Sequence, residues 1–233
     1  MRPPLTIAVA QPPCVPYDVV ANVAAHAAAV HVADARVVVF PELSLTGYEL
    51  DAAPVDVADA RLAPLVEACA ATGALALVGA PVGDADRPWL GMLAVDATGV
   101  RVAYRKMFLG AAESTRFVPG DEPAVYDVDG WRLGLAVCKD TGVVAHAART
   151  VALGADVYVA GVLESPEDAG VPDERARRVA AAHRIWVATA SFAGPSGSRY
   201  PRTAGGSGVW RPDGTAVARA GTEPGEVVRA TLD

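Results

Sequence analysis

Short apolar runs, rich in Val, alternate along the chain with longer Ala-rich stretches. Apolar runs of about four to eight residues bounded by turn residues are typical of buried strands, whereas Ala-rich segments of about ten residues or more favour helices. The first pattern predicts strands at 5–10, 36–40, 74–80, 131–137, 155–162 and 185–191. The second pattern predicts helices between them at 18–34, 58–71, 143–153 and 173–183.

Two further segments, 89–106 and 207–220, predict hairpins because the turn sequences DATG and RPDG each separate two apolar runs. The order strand, helix, strand, helix, strand, hairpin therefore occurs twice, and the final GEVVRATLD predicts a closing edge strand. Two such halves, each a sheet with helices on one face, can pack sheet against sheet. The predicted fold class is α/β, a four-layer αββα sandwich of two mixed sheets with helices on the outer faces.

No low-complexity segment or linker divides the 233 residues, so we expect a single domain, 1–233. The loops 110–124 and 193–206 are rich in Gly, Pro and Ser, and we expect them to line a site. Hydrophobic residues make up 52% of the chain and charged residues 20%, as in proteins with a well-buried core.

The net charge of −7 disfavours nucleic acid or an anionic membrane as the main partner. The basic cluster RARR at 175–178 is interpreted as the solvated face of a helix. Three cysteines without a CxxC motif, no signal-peptide pattern and no long apolar span together predict a cytoplasmic protein. No metal site is predicted, because Cys and acidic residues do not stand at metal-ligand spacing from the four histidines.

Three chemically reactive residues lie at or just beyond predicted strand ends, where α/β proteins usually place their chemistry. Glu42 follows VVVF, Lys106 follows VAYR, and Cys138 follows LGLAV. Taken singly, each has an ordinary structural explanation as a loop acid, a surface cation or a small core residue. Together they form a coherent set, because a thiol needs a base or a positive neighbour to become an efficient nucleophile.

Each member of the set has a distinct expected role. Glu42 can take the thiol proton, and Lys106 can lower the thiol pKa and donate a hydrogen bond to the oxyanion of a tetrahedral intermediate. The backbone N–H of Lys139, at the turn into a helix, can act as a second oxyanion donor. His146 is the nearest histidine, but it is expected on the flank of the following helix rather than against the sulfur.

The segments VVVFPELSLTGYEL, YRKMFL and GLAVCKD resemble the carbon–nitrogen hydrolases of the nitrilase superfamily. The approach FVPGDEPAVYDVDGWRLGLAVC and the C-terminal piece from 206 to 233 extend the resemblance over essentially the whole chain. The resemblance implies the αββα sandwich and a hydrolase without cofactor. It also implies that Glu42 is the general base, Lys106 the oxyanion stabiliser and Cys138 the nucleophile. Glu113 resembles the second glutamate with which many members orient the substrate and the lysine.

The match departs from the family after the cysteine. Many amidases and carbamoylases have an aromatic residue there, then Asp and often Arg, whereas this chain has Lys139, Asp140 and no Arg before Arg149. An N-carbamoyl amino acid or ω-amido acid is therefore a less secure substrate, and the missing CWE pattern disfavours a nitrile. Asp140 or Thr141 is also expected to cap the helix that follows.

The preferred interpretation is hydrolysis of a small linear amide, or of an N-carbamoyl compound, through a cysteine thioester. Two alternatives stay open: a glutaminase-type or acyl-transfer subunit that works with a partner, and a non-catalytic binding protein on the same fold. We also expect a homodimer or higher homo-oligomer that associates through the helices at 143–153 and 173–183. The residues expected to bind substrate are Tyr48, Phe117, Lys139, Glu164 and Phe192.

Overall fold

The computed structural model describes residues 2–233, and within them the elements follow the predicted order. The helices are α1 Val19–Ala33, α2 Ala63–Thr72, α3 Val144–Ala152 and α4 Val171–His183. The strands of the first half are β1 Leu5–Ala10, β2 Val37–Val39, β3 Leu75–Val82, β4 Trp89–Asp96 and β5 Gly99–Arg105. The later strands are β6 Ala124–Val128, β7 Trp131–Val137, β8 Val157–Val162, β9 Trp186–Ser191, β10 Ala193–Gly194, β11 Thr203–Ala204, β12 Gly208–Trp210, β13 Ala216–Arg219 and β14 Val227–Leu232.

The strands form two six-stranded mixed sheets with the same internal order. The first sheet runs β14-β1-β2-β3-β4-β5 and the second runs β13-β12-β9-β8-β7-β6. In each half three strands are parallel, β1-β2-β3 and β7-β8-β9, and an antiparallel hairpin extends the third. The predicted repeat is therefore present in the strand order of the two sheets.

Three apolar clusters lie between the four layers of helices and sheets. The central cluster joins side chains of both sheets, such as Val9 and Leu77 from the first and Leu135 and Val159 from the second. A second cluster packs α1 and α2 on the outer face of the first sheet, and a third packs α3 and α4 on the second. This arrangement confirms the predicted αββα sandwich. In the part of the chain that the structure describes, no helix is long and apolar enough to cross a membrane.

Two parts of the expected layout were incomplete. Strand β6 begins at the last residue of the expected loop 110–124 and continues through residues for which no element was predicted; its mostly half-exposed residues form an edge strand antiparallel to β7. The loop 193–206 contains the short pair β10 and β11. These two strands fold the loop back on itself beside the carboxyl end of β9.

Candidate active site

Cys138 stands at the carboxyl end of β7, in a 3₁₀ turn over Cys138–Gly142. Its backbone has φ of 41°, in the left-handed region that costs a non-glycine residue about 1–2 kcal/mol. The side chain is partly exposed, and Sγ lies 3.5 Å from the Leu163 carbonyl at the end of β8. The strained turn therefore presents the thiol at the edge where the parallel strands end.

A buried lysine lies between two carboxylates at this edge. Lys106 Nζ donates to Glu42 Oε1 at 2.6 Å and to Glu113 Oε1 at 2.7 Å. The side chains of Lys106 and Glu42 are each only 1% exposed. Glu42 Oε2 is also buried and has no hydrogen-bond partner among residues 2–233. An unpaired buried carboxylate oxygen costs stability, so a functional reason for it is expected.

Burial and the shared lysine shift the pKa values of the cluster in different directions. Burial raises the pKa of Glu42 to about 8, although the Lys106 ammonium opposes the shift. Burial lowers the pKa of Lys106, but the nearby negative groups, Glu42 foremost, outweigh it and the net pKa is raised. The pKa of Glu113 is lowered, because Lys106 and hydrogen-bond donors overcome the effect of burial. Lys106 and Glu113 are thus charged, whereas Glu42 titrates near neutral pH.

The Cys138 thiol is held protonated in the resting site. Burial raises its pKa, and the Glu42 carboxylate adds to this effect, while Lys106 opposes it. A thiolate therefore forms only when a base accepts the thiol proton. Among the residues of the site, Glu42 has both an unpaired oxygen and a pKa suited to that exchange.

Glu113 is fixed from three sides. Besides the bond from Lys106, it accepts hydrogen bonds at 2.6 Å from the Tyr48 hydroxyl and from the Gly110 backbone N–H. The Tyr48 ring in turn contacts Tyr200 edge to face, with ring centroids 5.2 Å apart. Tyr48 therefore acts on the site through Glu113. Tyr200, which sequence reasoning missed, joins the loop 193–206 to this group.

The loop that carries Glu42 is clamped by a glycine from each sheet. A Cβ on Gly79 of β3 would lie 2.6 Å from the Pro41 carbonyl oxygen, and one on Gly161 of β8 would lie 2.6 Å from that of Phe40. These separations leave no room for a side chain at either position. Neither glycine was singled out from the sequence, although glycine inside a strand signals a close backbone approach.

Asp140 does not cap the following helix, which corrects the prediction. Its carboxylate accepts hydrogen bonds from Val137 N and Phe108 N, both at 2.9 Å, and from the Tyr104 hydroxyl at 2.8 Å. Helix α3 begins only at Val144, after the 3₁₀ turn, and has no side-chain cap. Asp140 therefore ties the segment after Lys106 to the turn of Cys138.

Thr141 also differs from expectation, whereas His146 lies on α3 with its ring engaged away from the sulfur, as expected. The Thr141 hydroxyl donates to the Cys138 carbonyl at 2.6 Å and does not cap α3. His146 is buried, with its ring nitrogens 2.8 Å and 2.7 Å from the hydroxyls of Tyr104 and Tyr158. Both nitrogens are thus occupied, and the ring extends the buried Asp140 network.

The remaining expected substrate-binding residues lie in different surroundings. Glu164 directly follows Leu163 at the end of β8 and is partly exposed. Lys139 extends away along the surface and donates to the Leu109 carbonyl at 2.6 Å. Phe117 and Phe192 are buried in the central core, 3% and 0% exposed. Of these side chains, the partly exposed Glu164 is the one that directly follows the Leu163 carbonyl contacted by Cys138 Sγ.

The basic cluster at 175–178 is not simply a solvated helix face. The Arg178 guanidinium donates to the Thr141 carbonyl at 2.9 Å, and the Arg175 guanidinium packs on Gly142. Two arginines of α4 thus support the turn of Cys138. No group of three or more His, Cys, Asp or Glu side chains in residues 2–233 is arranged to hold a metal ion.

Comparison with known proteins agrees with this architecture. The model of the carbon–nitrogen hydrolase family matches residues 6–233. A protein described as "Hydrolase in pqqF 5'region", from Pseudomonas protegens, is 30% identical over 239 residues, which span 98% of this chain and 83% of that protein.

Two solved structures of one amidase, from Nesterenkonia sp. AN1, superpose closely. A cysteine-to-alanine mutant in complex with butyramide has a TM-score of 0.88 at 26% identity, covering 98% of this chain and 90% of that chain. A glutamate-to-glutamine mutant, with the acetamide moiety of fluoroacetamide added to its active-site cysteine, has a TM-score of 0.88 at 24% identity, covering 100% and 92%.

The family match spans nearly the whole chain, and the two packed sheets have the fold of an amidase of the nitrilase superfamily. That fold places Cys138 at a strand end beside a buried lysine and two carboxylates. The chain belongs to the carbon–nitrogen hydrolase family.

Proposed function

We propose that this protein hydrolyses the C–N bond of a small linear amide, or of an N-carbamoyl compound, through a thioester on Cys138. The observation that carries the proposal is Lys106, buried and hydrogen-bonded to Glu42 and Glu113, at the edge where the strained Cys138 turn presents its thiol. One cation, one carboxylate with a free oxygen and one nucleophile are the groups that acyl transfer requires.

The first half of the reaction forms the thioester. Glu42 accepts the thiol proton, Cys138 Sγ bonds to the carbonyl carbon, and the carbonyl π electrons move onto oxygen. When the tetrahedral intermediate collapses, the C–N bond breaks and Glu42 returns its proton to the departing nitrogen. Ammonia or an amine leaves, and the acyl group remains on sulfur.

The second half releases the acid. Water gives a proton to Glu42 as its oxygen bonds to the thioester carbon. Collapse of the second tetrahedral intermediate breaks the C–S bond, and Cys138 regains a proton from Glu42. Lys106 stabilises the oxyanion in both halves, with the Lys139 backbone N–H as a second donor. Glu113, held by Tyr48 and Gly110, keeps the Lys106 ammonium in position.

The proposal is tested with a panel of short amides, N-carbamoyl compounds and nitriles. We expect ammonia release from the amides and a transient acyl adduct on Cys138 by intact-protein mass, both lost in Cys138→Ala. The matched control is Cys14→Ala, because Cys14 is a partly buried thiol of the same chain that takes no part in the proposed reaction. Absence of ammonia across the panel, with Cys138 no more sensitive to alkylation than Cys14 or Cys69, would contradict the proposal.

A further inference from the structure

Glu164 lies beside the nucleophile but has no part in the proton transfers proposed above. It directly follows Leu163, whose carbonyl contacts Cys138 Sγ at 3.5 Å. Its own carbonyl accepts from Ala204 N at 3.0 Å, which fixes this backbone between the nucleophile and the loop 193–206. The Glu164 side chain is 19% exposed. Its carboxylate is therefore held at the site and is still open to a ligand.

The salt bridge between Glu164 and Arg175 is long. Arg175 Nη1 lies 3.4 Å from Glu164 Oε1, at the long end of the range for a salt bridge, and is itself 27% exposed at the side chain. The same guanidinium packs on Gly142, where an added Cβ would lie 3.2 Å from Cζ. Arg175 is thus shared between Glu164 and the turn of Cys138, and its long contact leaves the partly exposed Glu164 carboxylate accessible to a second cation.

The charge of Glu164 opposes the chemistry of its neighbour. Burial raises the pKa of the Cys138 thiol, and the carboxylates of Glu42 and Glu164 raise it further. Lys106, the cation nearest the thiol in the described cluster, is already shared by Glu42 and Glu113. A negative group at this point therefore disfavours the thiolate unless something with positive charge binds it.

We propose that Glu164 is a specificity-determining residue that binds a cationic group on the acyl side of the substrate, an inference that rests on the proposed amide hydrolysis. The substrate class is a short amide with an ammonium group on its acyl chain. Binding pairs the ammonium with the carboxylate and removes the opposing charge beside Cys138. An amide with a carboxylate at the same place is repelled.

The two kinds of substrate should respond differently to Glu164→Gln. The variant loses the partner of the ammonium, so kcat/KM for a cationic amide falls. An uncharged amide of the same shape has no group that pairs with the carboxylate, so its kcat/KM falls much less, or rises because a negative charge beside the thiol is removed. A residue with only a structural role would change both values by the same factor.

The test compares 3-aminopropanamide with butyramide, which has the same number of heavy atoms, and with succinamate. We expect kcat/KM for the cationic amide to exceed that for butyramide about tenfold, and succinamate to be the poorest substrate. Glu164→Gln should lower the cationic-to-neutral ratio about tenfold, whereas Glu164→Asp should keep most of it. Glu167→Gln, an exposed acid three residues later, is the matched control and should keep the ratio.

Two results would overturn the inference. In the first, the amides are hydrolysed but Glu164→Gln does not change the ratio of kcat/KM for the cationic amide to kcat/KM for butyramide. In the second, succinamate is the preferred substrate. Either result leaves the proposed amide hydrolysis intact. Calorimetry with Cys138→Ala separates binding from turnover. Tighter binding of 3-aminopropanamide than of butyramide, lost in the double variant with Glu164→Gln, supports the inference even without turnover, and equal binding contradicts it.

Discussion

A single ammonium group, that of Lys106, is hydrogen-bonded to two buried carboxylates at the site. Glu113 accepts further hydrogen bonds, which lower its pKa and keep it ionised. Glu42 lacks these donors, so burial raises its pKa to about 8, close to neutral pH. The two glutamates are chemically alike, and their surroundings alone give them different protonation behaviour.

Replacement of Lys106 tests the charge arrangement. We expect Lys106→Ala to lower kcat/KM by about 10²–10³ or more, since an oxyanion donor is lost. The two carboxylates can take up protons in place of the ammonium, so the fold should persist, as near-ultraviolet circular dichroism can show. Arg61→Ala, at an exposed ion pair, is the control. Near-normal turnover by the Lys106 variant would exclude its proposed role.

The pH dependence of kcat/KM follows from the raised pKa of Glu42. As the proposed base, Glu42 is active when ionised, and burial raises its pKa to about 8. Activity should therefore fall about tenfold for each pH unit below that value and level off above it. Steady-state rates with an uncharged amide measure the profile. A flat profile from about pH 5.5 to 8 would show that Glu42 is not the base.

At the scale of elements, contacts between distant segments place the reactive groups. Asp140 connects the segment after β5 to the turn after β7, and the network continues through Tyr104 and His146 into α3. The Glu42 loop is held between β3 and β8, which belong to different sheets.

Asp140→Asn tests the first of these connections. An amide cannot accept all three of the hydrogen bonds that the carboxylate accepts, so we expect a loss of about 1.5–3 kcal/mol in the free energy of unfolding. Both Lys106 and Cys138 should move from their positions in the site, and kcat should fall. Urea unfolding and steady-state kinetics measure the two effects. Asp127→Asn, whose side chain is 69% exposed, should change neither.

Gly79→Ala and Gly161→Ala test the clamp on Glu42. The added methyl meets backbone atoms that cannot rotate away, so we expect each variant to lose about 1–3 kcal/mol of stability. Because the displaced backbone carries the proposed base, kcat/KM should fall in both variants. Gly170→Ala is the control, since nothing lies within 4 Å of its added Cβ. Unchanged kinetics in both clamp variants would disprove the positioning role.

These contacts explain what the sequence could and could not predict. The local pattern of apolar and polar residues was sufficient to predict the central strands, the helices and the repeat, because each depends on the periodicity of a short segment. It was insufficient for Asp140, whose partners lie on other segments, and for β6, whose half-exposed residues resemble a loop. Spacing alone also gave no sign that the Lys139 side chain would extend to the Leu109 carbonyl.

At the scale of the whole molecule, self-association stays a prediction. We expect a dimer or higher oligomer to form through α3 and α4, where Val144 is 65% exposed. Sedimentation of wild type and Val144→Asp measures this, and the charge should shift the equilibrium toward the monomer. Val32→Asp, 70% exposed on α1, is the control. A monomer at all concentrations would contradict the expectation.

The clamp formed by Gly79 and Gly161 has a consequence for the order of folding. Each sheet can acquire its strands separately, but the Glu42 loop reaches its place only when the second sheet docks on the first. The Cys138 turn follows β7 and contacts the end of β8, both in the second sheet, but its Asp140 also accepts hydrogen bonds from Tyr104 and from Phe108 N, at and after the end of β5 in the first sheet. A half-assembled chain would therefore hold the Cys138 thiol without the proposed base and without part of the contacts that fix its turn. We expect hydrolytic competence to arise only once the two sheets have docked, so a chain with one sheet formed would be inactive.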